Sequence, residues 1–207
     1  MYCRYLYTGR VYINNKKGIE LLNIMIAFDD LKLHQLIKVA ENFFTQNRHQ
    51  FLRIDPVGIL KIVYRYQVFS KMRKYCIETI CSEPGILFNS AKFINLPASI
   101  LEDILKRDDL GLISETEIWE NLIKWGLAQE KSLSGDVSKW RQQKFDLLER
   151  ILHKFIPLIR FNYISSQDYF NKVRPYEEIL SKELREEILK FHMIPGYKPT
   201  LNAYTQR

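Results

Sequence analysis

The sequence predicts an all-α protein, a helical array preceded by a short part with mixed α/β structure. Three observations lead to this class. Apolar residues recur at spacings of three and four along most of the chain after residue 19. Capping residues precede several of these runs. One short stretch near the beginning, Tyr5 to Ile13, is predicted as a β-strand. With 207 residues and 46% hydrophobic content, the chain is long enough for one or two domains with buried cores.

The most informative run begins at Phe93 and predicts a first helix. Pro97 suits a first helical turn, where the missing N–H costs nothing, and an apolar face follows at Leu101, Ile104 and Leu105. We expect this helix to end near Arg107. The next residues, Asp108-Asp109, then form an acidic turn.

A second helix is predicted to open at Ser114. Ser114 and Glu117 have the spacing of a capping box, in which each side chain satisfies a free N–H at the helix start. The helix then presents a wide apolar stripe with two tryptophans, and we expect it at the centre of a helical core. The stripe consists of Ile118, Trp119, Leu122, Ile123 and Trp125.

Four further helices are predicted before this run. A nearly all-apolar helix, Ile19 to Phe28, must be buried, and an amphipathic helix follows from Leu33 to near Asn47. Asp55 caps a helix that starts at Pro56 and runs through about Tyr66. The last of the four runs from about Phe69 to Ser82.

The second half of the chain is predicted to contain a linker and three more helices. Residues 130–135 are polar and are expected to form a flexible linker. Asp136 is a candidate cap for a helix of about five turns from Val137 to Phe155. Ser165 and Ser181 are candidate caps for two further helices, the last of which runs from Lys182 to His192.

The sequence offers no residues on which to base an enzyme, a metal site or a cofactor site. None of the four histidines has another histidine or a cysteine at metal-ligand spacing, and the phosphate-binding, dinucleotide-binding and hydrolase motifs are missing. Paired acidic residues occur at helix boundaries or exposed helical positions, where caps and solvated faces are common. We therefore predict a non-enzymatic protein without metal or cofactor.

The net charge of +7 raises the question of an acidic partner. Between Pro56 and Ile77 there are basic and aromatic residues but no acidic ones. Such a face can bind nucleic acid, or it can be two amphipathic helices with aromatics in the core and lysines in solvent, or it can steer an acidic protein partner. We favour the second interpretation, because acidic residues offset the charge elsewhere and no known nucleic-acid-binding fold is evident. The basic residues are Lys61, Arg65, Lys71, Arg73 and Lys74.

Cysteine usage and hydropathy predict an intracellular protein. The cysteines, Cys3, Cys76 and Cys81, are odd in number, so we expect buried reduced thiols rather than a disulfide framework. No run approaches the roughly 20 apolar residues of a membrane span, and no signal peptide opens the chain. We expect a cytoplasmic protein, with the nucleus as the alternative, and no membrane partner.

The order of motifs resembles a known family. Phe93-Ile94-Asn95-Leu96-Pro97, then the run Ile104 to Leu110, then Ser114 to Trp119 and Ile123-Lys124-Trp125 resemble the BACK domain. This domain is the helical module that follows a BTB (POZ) domain in kelch-like and related proteins. The resemblance implies a BACK-type helical array preceded by a partial α/β BTB domain.

The resemblance also implies domain boundaries. Tyr5-Leu6-Tyr7-Thr8-Gly9 resembles a strand and turn late in a BTB domain, and the following helices resemble its last ones. Residues 1–50 are therefore expected to be the C-terminal part of BTB, residues 51–195 the BACK domain, and residues 196–207 a linker to a further domain. A BTB domain normally has its dimer helices upstream of this strand, so Met1 is expected to be an internal methionine of a longer adaptor, or the chain a truncated paralogue.

Proteins of the family that this chain resembles, in which BACK follows BTB, commonly act as substrate adaptors of cullin-RING ubiquitin ligases. The resemblance implies a cullin scaffold protein as partner, and a BTB-containing partner or self-association where BTB is complete. The helix pair from about Asp55 to Ser82 corresponds to the part that completes the cullin groove. Candidate contacts are Val57, Leu60, Tyr64, Tyr66 and Val68, for each of which core packing is the alternative. The alternative function is a cullin-independent structural or nucleic-acid-associated module that uses the basic 61–74 face.

Overall fold

The computed structural model describes residues 16–111 and 113–200, and within these ranges the chain is helical and contains no strand. The predicted strand from Tyr5 to Ile13 lies outside the described residues. The chain divides into two compact units, residues 1–80 and 81–207. The predicted boundary between residues 50 and 51 stays a prediction.

The first unit is built from the helices that precede residue 81. They are α1 (Gly18–Asp30), α2 (His34–Ile54), α3 (Pro56–Arg65) and the greater part of α4 (Ser70–Ser82), with a 3₁₀ turn at Gln67–Phe69. α1 packs against both α2 and α3. Gly18 allows the close approach to α2, because a Cβ there would lie 2.8 Å from the Cβ of Phe51. Leu21, Leu22 and Met25 of α1 are fully buried, as predicted for this apolar helix.

α2 is longer than the sequence predicted. It continues to Ile54 instead of ending near Asn47, whose side-chain amide donates to the carbonyl oxygen of Phe43 over 2.8 Å. The extra turns bury Phe51 and Leu52, so tertiary packing carries the helix beyond the polar residues at which the prediction stopped. The predicted cap of α3 is confirmed, since the Asp55 carboxylate accepts the Gly58 N–H over 3.0 Å.

The second unit contains six α-helices among its described residues, joined by short 3₁₀ turns. They are α5 (Gly85–Phe88), α6 (Ala98–Leu105), α7 (Glu115–Gln129), α8 (Gln142–Leu152), α9 (Ser166–Asp168) and α10 (Lys182–Met193). α9 runs directly into a π-helical stretch, Tyr169–Val173, and then into a 3₁₀ helix, Arg174–Ile179.

α7 lies in the core of the second unit, as predicted. The capping box is confirmed: the Glu117 N–H donates to the Ser114 hydroxyl over 3.1 Å, and the Ser114 N–H donates to the Glu117 carboxylate over 3.0 Å. Both tryptophans are buried and both are hydrogen-bonded, because the indole N–H of Trp119 donates to the carbonyl oxygen of Lys172 and that of Trp125 to the carbonyl oxygen of Leu96.

The acidic turn after α6 has a partner that sequence reasoning missed. Arg160 is only 3% exposed, and its guanidinium pairs with Asp108 and lies 4.0 Å from the buried carboxylate of Glu115. The backbone N–H of Arg160 also donates to the Glu115 carboxylate over 3.1 Å. A buried charge requires such pairing. The contacts of Arg160 with Asp108 and Glu115 therefore fix the acidic turn to the start of α7.

Two predictions between residues 130 and 155 were wrong. The expected linker contains a 3₁₀ turn, Lys131–Leu133, whose Leu133 is 1% exposed. The expected five-turn helix is interrupted: Asp136 caps only a 3₁₀ turn, Val137–Lys139, the backbone is extended at Trp140 and Arg141, and α8 begins at Gln142. Apolar spacing alone does not reveal such a break.

The last helix has the predicted cap. The Leu184 N–H donates to the Ser181 hydroxyl over 3.2 Å. Beyond α10 the chain returns to the helix, where the Tyr197 hydroxyl and the Thr200 N–H each donate to the Glu187 carboxylate over 2.7 Å.

Candidate protein-interaction surface

The candidate surface lies on α3, α4 and the 3₁₀ turn between them, and we call it the α3–α4 surface. The Arg73 guanidinium of α4 donates through Nε to the carbonyl oxygen of Val63 near the end of α3, over 3.3 Å. This bond ties the two helices together. The side chains of the surface are Lys61, Tyr64, Arg65, Tyr66, Val68, Lys71, Arg73, Lys74 and Tyr75, all exposed or half-buried.

Cations stack on the tyrosines of this surface. The Arg73 guanidinium lies 4.8 Å from the ring centroid of Tyr64, and the Arg65 guanidinium lies 5.5 Å from that of Tyr66. Such contacts are each worth about 0.5–1 kcal/mol at exposed sites. They hold flexible side chains in place, so the surface is preorganised for contact with a partner.

The five candidate contact residues fall into two groups. Val57 and Leu60 are 2% and 0% exposed, so they pack in the interior and offer no area to a partner in this state. Tyr64, Tyr66 and Val68 are half-buried. Tyr66 also packs edge-on against the fully buried Phe69, with ring centroids 6.1 Å apart. Tyr66 therefore rests on a buried aromatic side chain.

The charge of the surface is positive. Lys61, Arg65, Lys71 and Lys74 are exposed, and the acidic residue that α4 contributes nearby is Glu78, 3.9 Å from Lys74. The prediction of core aromatics and solvated lysines holds for Phe69 and the lysines, whereas the tyrosines lie at the surface under cations. No local signal marks the pairing of Arg73 with Tyr64, because it joins two helices.

The inner side of α4 carries a buried thiol. Cys76 is fully buried, and burial raises the pKa of its thiol to about 12 although the nearby Arg48 acts in the opposite direction. The Arg48 guanidinium donates to the Thr79 hydroxyl over 2.9 Å. Cys76 and Cys81 are both buried and form no disulfide, so among the described residues the cysteines serve as core side chains.

The second unit contains an apolar groove. It has a volume of about 770 Å³ and lies beside Trp119, Ile123 and Leu127 of α7. An ion pair stands at its rim, where Lys172 lies 3.1 Å from Glu120. These two charges neutralise each other, and the residues that line the groove include no histidine, cysteine, serine or threonine.

Within residues 16–111 and 113–200, no group of acidic, histidine and cysteine side chains could hold a metal ion. Over the same residues, no helix is both long enough and apolar enough to cross a membrane.

Comparison with known proteins finds one family model and weak relatives. The model BACK, described as "BTB And C-terminal Kelch", matches residues 57–174. Kelch-like protein 5 from Homo sapiens is 22% identical over 200 residues, which cover 97% of this chain and 24% of the relative. Kelch-like protein 6 from Homo sapiens is 25% identical over 127 residues, which cover 58% of this chain and 18% of the relative. The chain thus spans about a quarter or less of the length of these relatives, and no solved structure matches it.

Proposed function

Because the chain belongs to the BACK family, we propose that it is a non-enzymatic interaction scaffold, the arm of a substrate adaptor for a cullin-RING ubiquitin ligase. The observation that carries the proposal is the position of the family match, which begins at Val57 in the first turn of α3. The α3–α4 surface therefore opens the family module, and this is the position at which the resemblance to cullin adaptors implies docking.

The α3–α4 surface has the properties of a docking site. Tyrosine and arginine are the residue types that most often carry binding energy at interfaces, and Tyr64 and Tyr66 are held in place by Arg73 and Arg65. The exposed lysines add positive potential, which speeds association with an acidic partner and fixes its orientation. We propose Tyr64, Tyr66 and Val68 as direct contacts, and assign to Val57 and Leu60 the packing beneath them.

The domain organisation remains part of this proposal. Residues 1–50 would be the end of a BTB domain, residues 51–195 the BACK domain, and residues 196–207 the exit towards a further domain. The match to Kelch-like protein 5 over 97% of the chain supports a family-like segment before residue 57. A BTB portion would also allow self-association or pairing with another BTB protein, and the protein would act in the cytoplasm or nucleus.

A nucleic-acid-associated role is the second candidate, and the basic charge of the α3–α4 surface is the observation in its favour. The cation stacks argue against it, because Arg65, Lys71 and Arg73 each lie over a tyrosine of the same surface. One face of each ring is thereby covered, which reduces the area available for stacking of bases.

A binding experiment with purified cullin three tests the proposal. The chain and a version extended upstream by a BTB half are each immobilised and exposed to the cullin. We expect the extended form to bind and to keep most of its affinity when the salt concentration is raised. Binding by neither form would contradict the adaptor role. Binding to RNA or DNA instead, with affinity that falls steeply with salt, would favour the second candidate.

A further inference from the structure

A small pocket lies between α10 and the segment that contains α9 and the π-helical stretch. Its volume is about 320 Å³, near the lower end of the range of small-ligand sites, which is roughly 300–1,000 Å³. Phe170 and Leu189 are 59% and 46% exposed, so two large apolar side chains stand at its mouth.

Two of the residues that line this pocket, Tyr169 and His192, each carry a buried polar atom. Tyr169 is 5% exposed, and neither its hydroxyl nor Nε2 of His192 has a hydrogen-bond partner among the described residues. The two rings pack together, with centroids 5.5 Å apart. Burying polar groups in this way costs free energy, and such groups in a native protein call for an explanation. A ligand atom that accepts hydrogen bonds from both of them supplies one.

The Tyr169 hydroxyl is a donor when it is protonated, and the tautomer of His192 decides whether Nε2 donates as well. Burial raises the pKa of Tyr169, and the nearby Glu177 carboxylate raises it further, so the phenol keeps its proton at neutral pH. Burial lowers the pKa of His192, so its imidazole is neutral. Nδ1 of His192 lies 3.1 Å from the Ser166 hydroxyl. When this hydroxyl donates to Nδ1, Nε2 carries the hydrogen and donates into the pocket.

The walls of the pocket add one charge of each sign. The Arg174 guanidinium lies 4.8 Å from the ring centroid of Phe170, at the exposed side. Glu177 lies on the wall as well. Three donors, one of them cationic, favour a carboxylate on the ligand. The carboxylate of Glu177 on the wall can accept a hydrogen bond from an amide N–H of the ligand. Phe170 and Leu189 favour an apolar side chain next to both.

We propose that this pocket binds the C-terminal carboxylate and last apolar side chain of a peptide. The peptide carboxylate accepts from the Tyr169 hydroxyl, from Nε2–H of His192 and from Arg174, and the preceding amide N–H donates to Glu177. The last side chain lies against Phe170 and Leu189. Capture of a terminal carboxylate is an established mode of peptide recognition. The site lies within residues 81–207 and is independent of cullin docking by the α3–α4 surface.

An NMR titration tests the site with the whole chain. The leucine methyl groups are labelled with ¹³C, so that Leu189 reports from the mouth of the pocket. One probe is an N-acetylated hexapeptide that ends in leucine with a free carboxylate, and the other is the same peptide with a C-terminal amide. We expect the free acid to shift the Leu189 methyl signals and to bind at least about tenfold more tightly than the amide.

The substitution Tyr169→Phe separates binding from folding. It removes a hydroxyl that has no partner among the described residues, so the melting temperature is expected to stay the same or to rise. The affinity for the free acid is expected to fall about ten- to hundredfold, which is the worth of one hydrogen bond to a charged group. Tyr163→Phe is the matched control, because Tyr163 is exposed and lies outside the pocket, and it is expected to leave both values unchanged.

Three outcomes overturn the proposal. Equal affinity for acid and amide shows that the carboxylate is not recognised. No shift of the Leu189 methyls up to the solubility limit shows that the pocket does not bind these termini. Binding of N-acetyl-leucine without binding of the hexapeptide shows a site for a free amino acid rather than a peptide. None of these results bears on cullin binding, so the two proposals fail separately.

Discussion

The indole N–H of Trp125 donates to the carbonyl oxygen of Leu96 over 2.8 Å, and both residues are buried. This bond joins α7 to the turn that precedes α6, and it connects two of the sequence motifs that first indicated the family. The Trp125 ring also packs edge-on against Phe155, with centroids 5.2 Å apart. One side chain thus holds three segments of the second unit together.

Trp125→Phe is expected to destabilise the protein by about 2–4 kcal/mol. The substitution leaves the buried carbonyl of Leu96 without its donor and opens a cavity beside Phe155. Urea unfolding followed by circular dichroism measures the loss. Trp140→Phe is the matched control, because Nε1 of Trp140 has no partner among the described residues, and a loss of about 1 kcal/mol or less is expected there. Equal losses for both variants would contradict the role given to the Trp125 bond.

Gly111→Ala is expected to cost about 1–3 kcal/mol, because the new methyl group would meet backbone atoms. A Cβ at Gly111 would lie 2.9 Å from the carbonyl oxygen of Cys81 and 3.2 Å from that of Ser82, at the end of α4. The Gly111 N–H donates to the same Cys81 oxygen over 2.7 Å. A movement of residue 111 away from Cys81 to make room for the methyl group would therefore break this hydrogen bond.

The control for Gly111 is Gly85→Ala. Its added Cβ would meet the flexible amide end of Asn89 at 3.0 Å, which can move away. Thermal unfolding of the two variants side by side is expected to show a change within about 0.5 kcal/mol for Gly85→Ala. An unchanged melting temperature for Gly111→Ala would show that the end of α4 is not fixed by this contact.

Cys76 is expected to resist alkylation in the folded protein. Its pKa of about 12, which results mainly from burial, leaves almost no thiolate near neutral pH. Native protein treated with iodoacetamide at about pH 8 and then digested is expected to yield the unmodified Cys76 peptide, and protein treated in urea the modified one. Rapid modification of Cys76 while the circular dichroism stays native would contradict its burial.

The Glu102 carboxylate is expected to stay ionised in moderate acid. Hydrogen bonds from Lys106 and Lys154 lower its pKa from an ordinary 4.5 to about 2. A lowered pKa means that the stabilisation is complete above the ordinary value and is lost as the pH falls from 4.5 towards 2. Because the side chains are accessible to solvent, salt screening keeps the effect on stability small.

Carboxyl ¹³C NMR measures this pKa directly. Glu102 is expected to remain mostly ionised at about pH 3.5, where an ordinary glutamate is mostly protonated. Lys154→Ala removes one donor and is expected to raise the midpoint, whereas Lys124→Ala, on the exposed face of α7, leaves it unchanged. A midpoint near the ordinary value in the unmodified protein would rule out the two bonds in solution.

Local signals predicted most helix starts. The caps at Asp55, Ser114 and Ser181 each accept a hydrogen bond from the N–H three residues further along the chain, so the sequence alone was sufficient. The buried face of α7 was predicted from the spacing of its apolar residues, which is also a local property of the sequence. The predictions that failed were those of helix boundaries that tertiary packing determines, such as the end of α2 and the break at Trp140 and Arg141.

The candidate surface was predictable only in outline. The basic and aromatic residues of 61–74 were evident, but the burial of Val57 and Leu60 and the partial exposure of Tyr66 depend on how α3 packs against its neighbours. The stack of Arg73 on Tyr64 joins residues of different helices. The pair Tyr169 and His192 was missed for a similar reason, because its members are 23 positions apart and meet only in the folded unit.

The measurement that tests the central claim most directly is the affinity of cullin three for the BTB-extended chain with Tyr66→Ala, by biolayer interferometry. Tyr163→Ala, a substitution of an exposed tyrosine in the second unit, is the matched control. We expect Tyr66→Ala to weaken binding by about tenfold or more, as at an interface hot spot, with the control unchanged and both variants folded. Equal affinity of Tyr66→Ala and the unmodified protein would contradict docking through the α3–α4 surface.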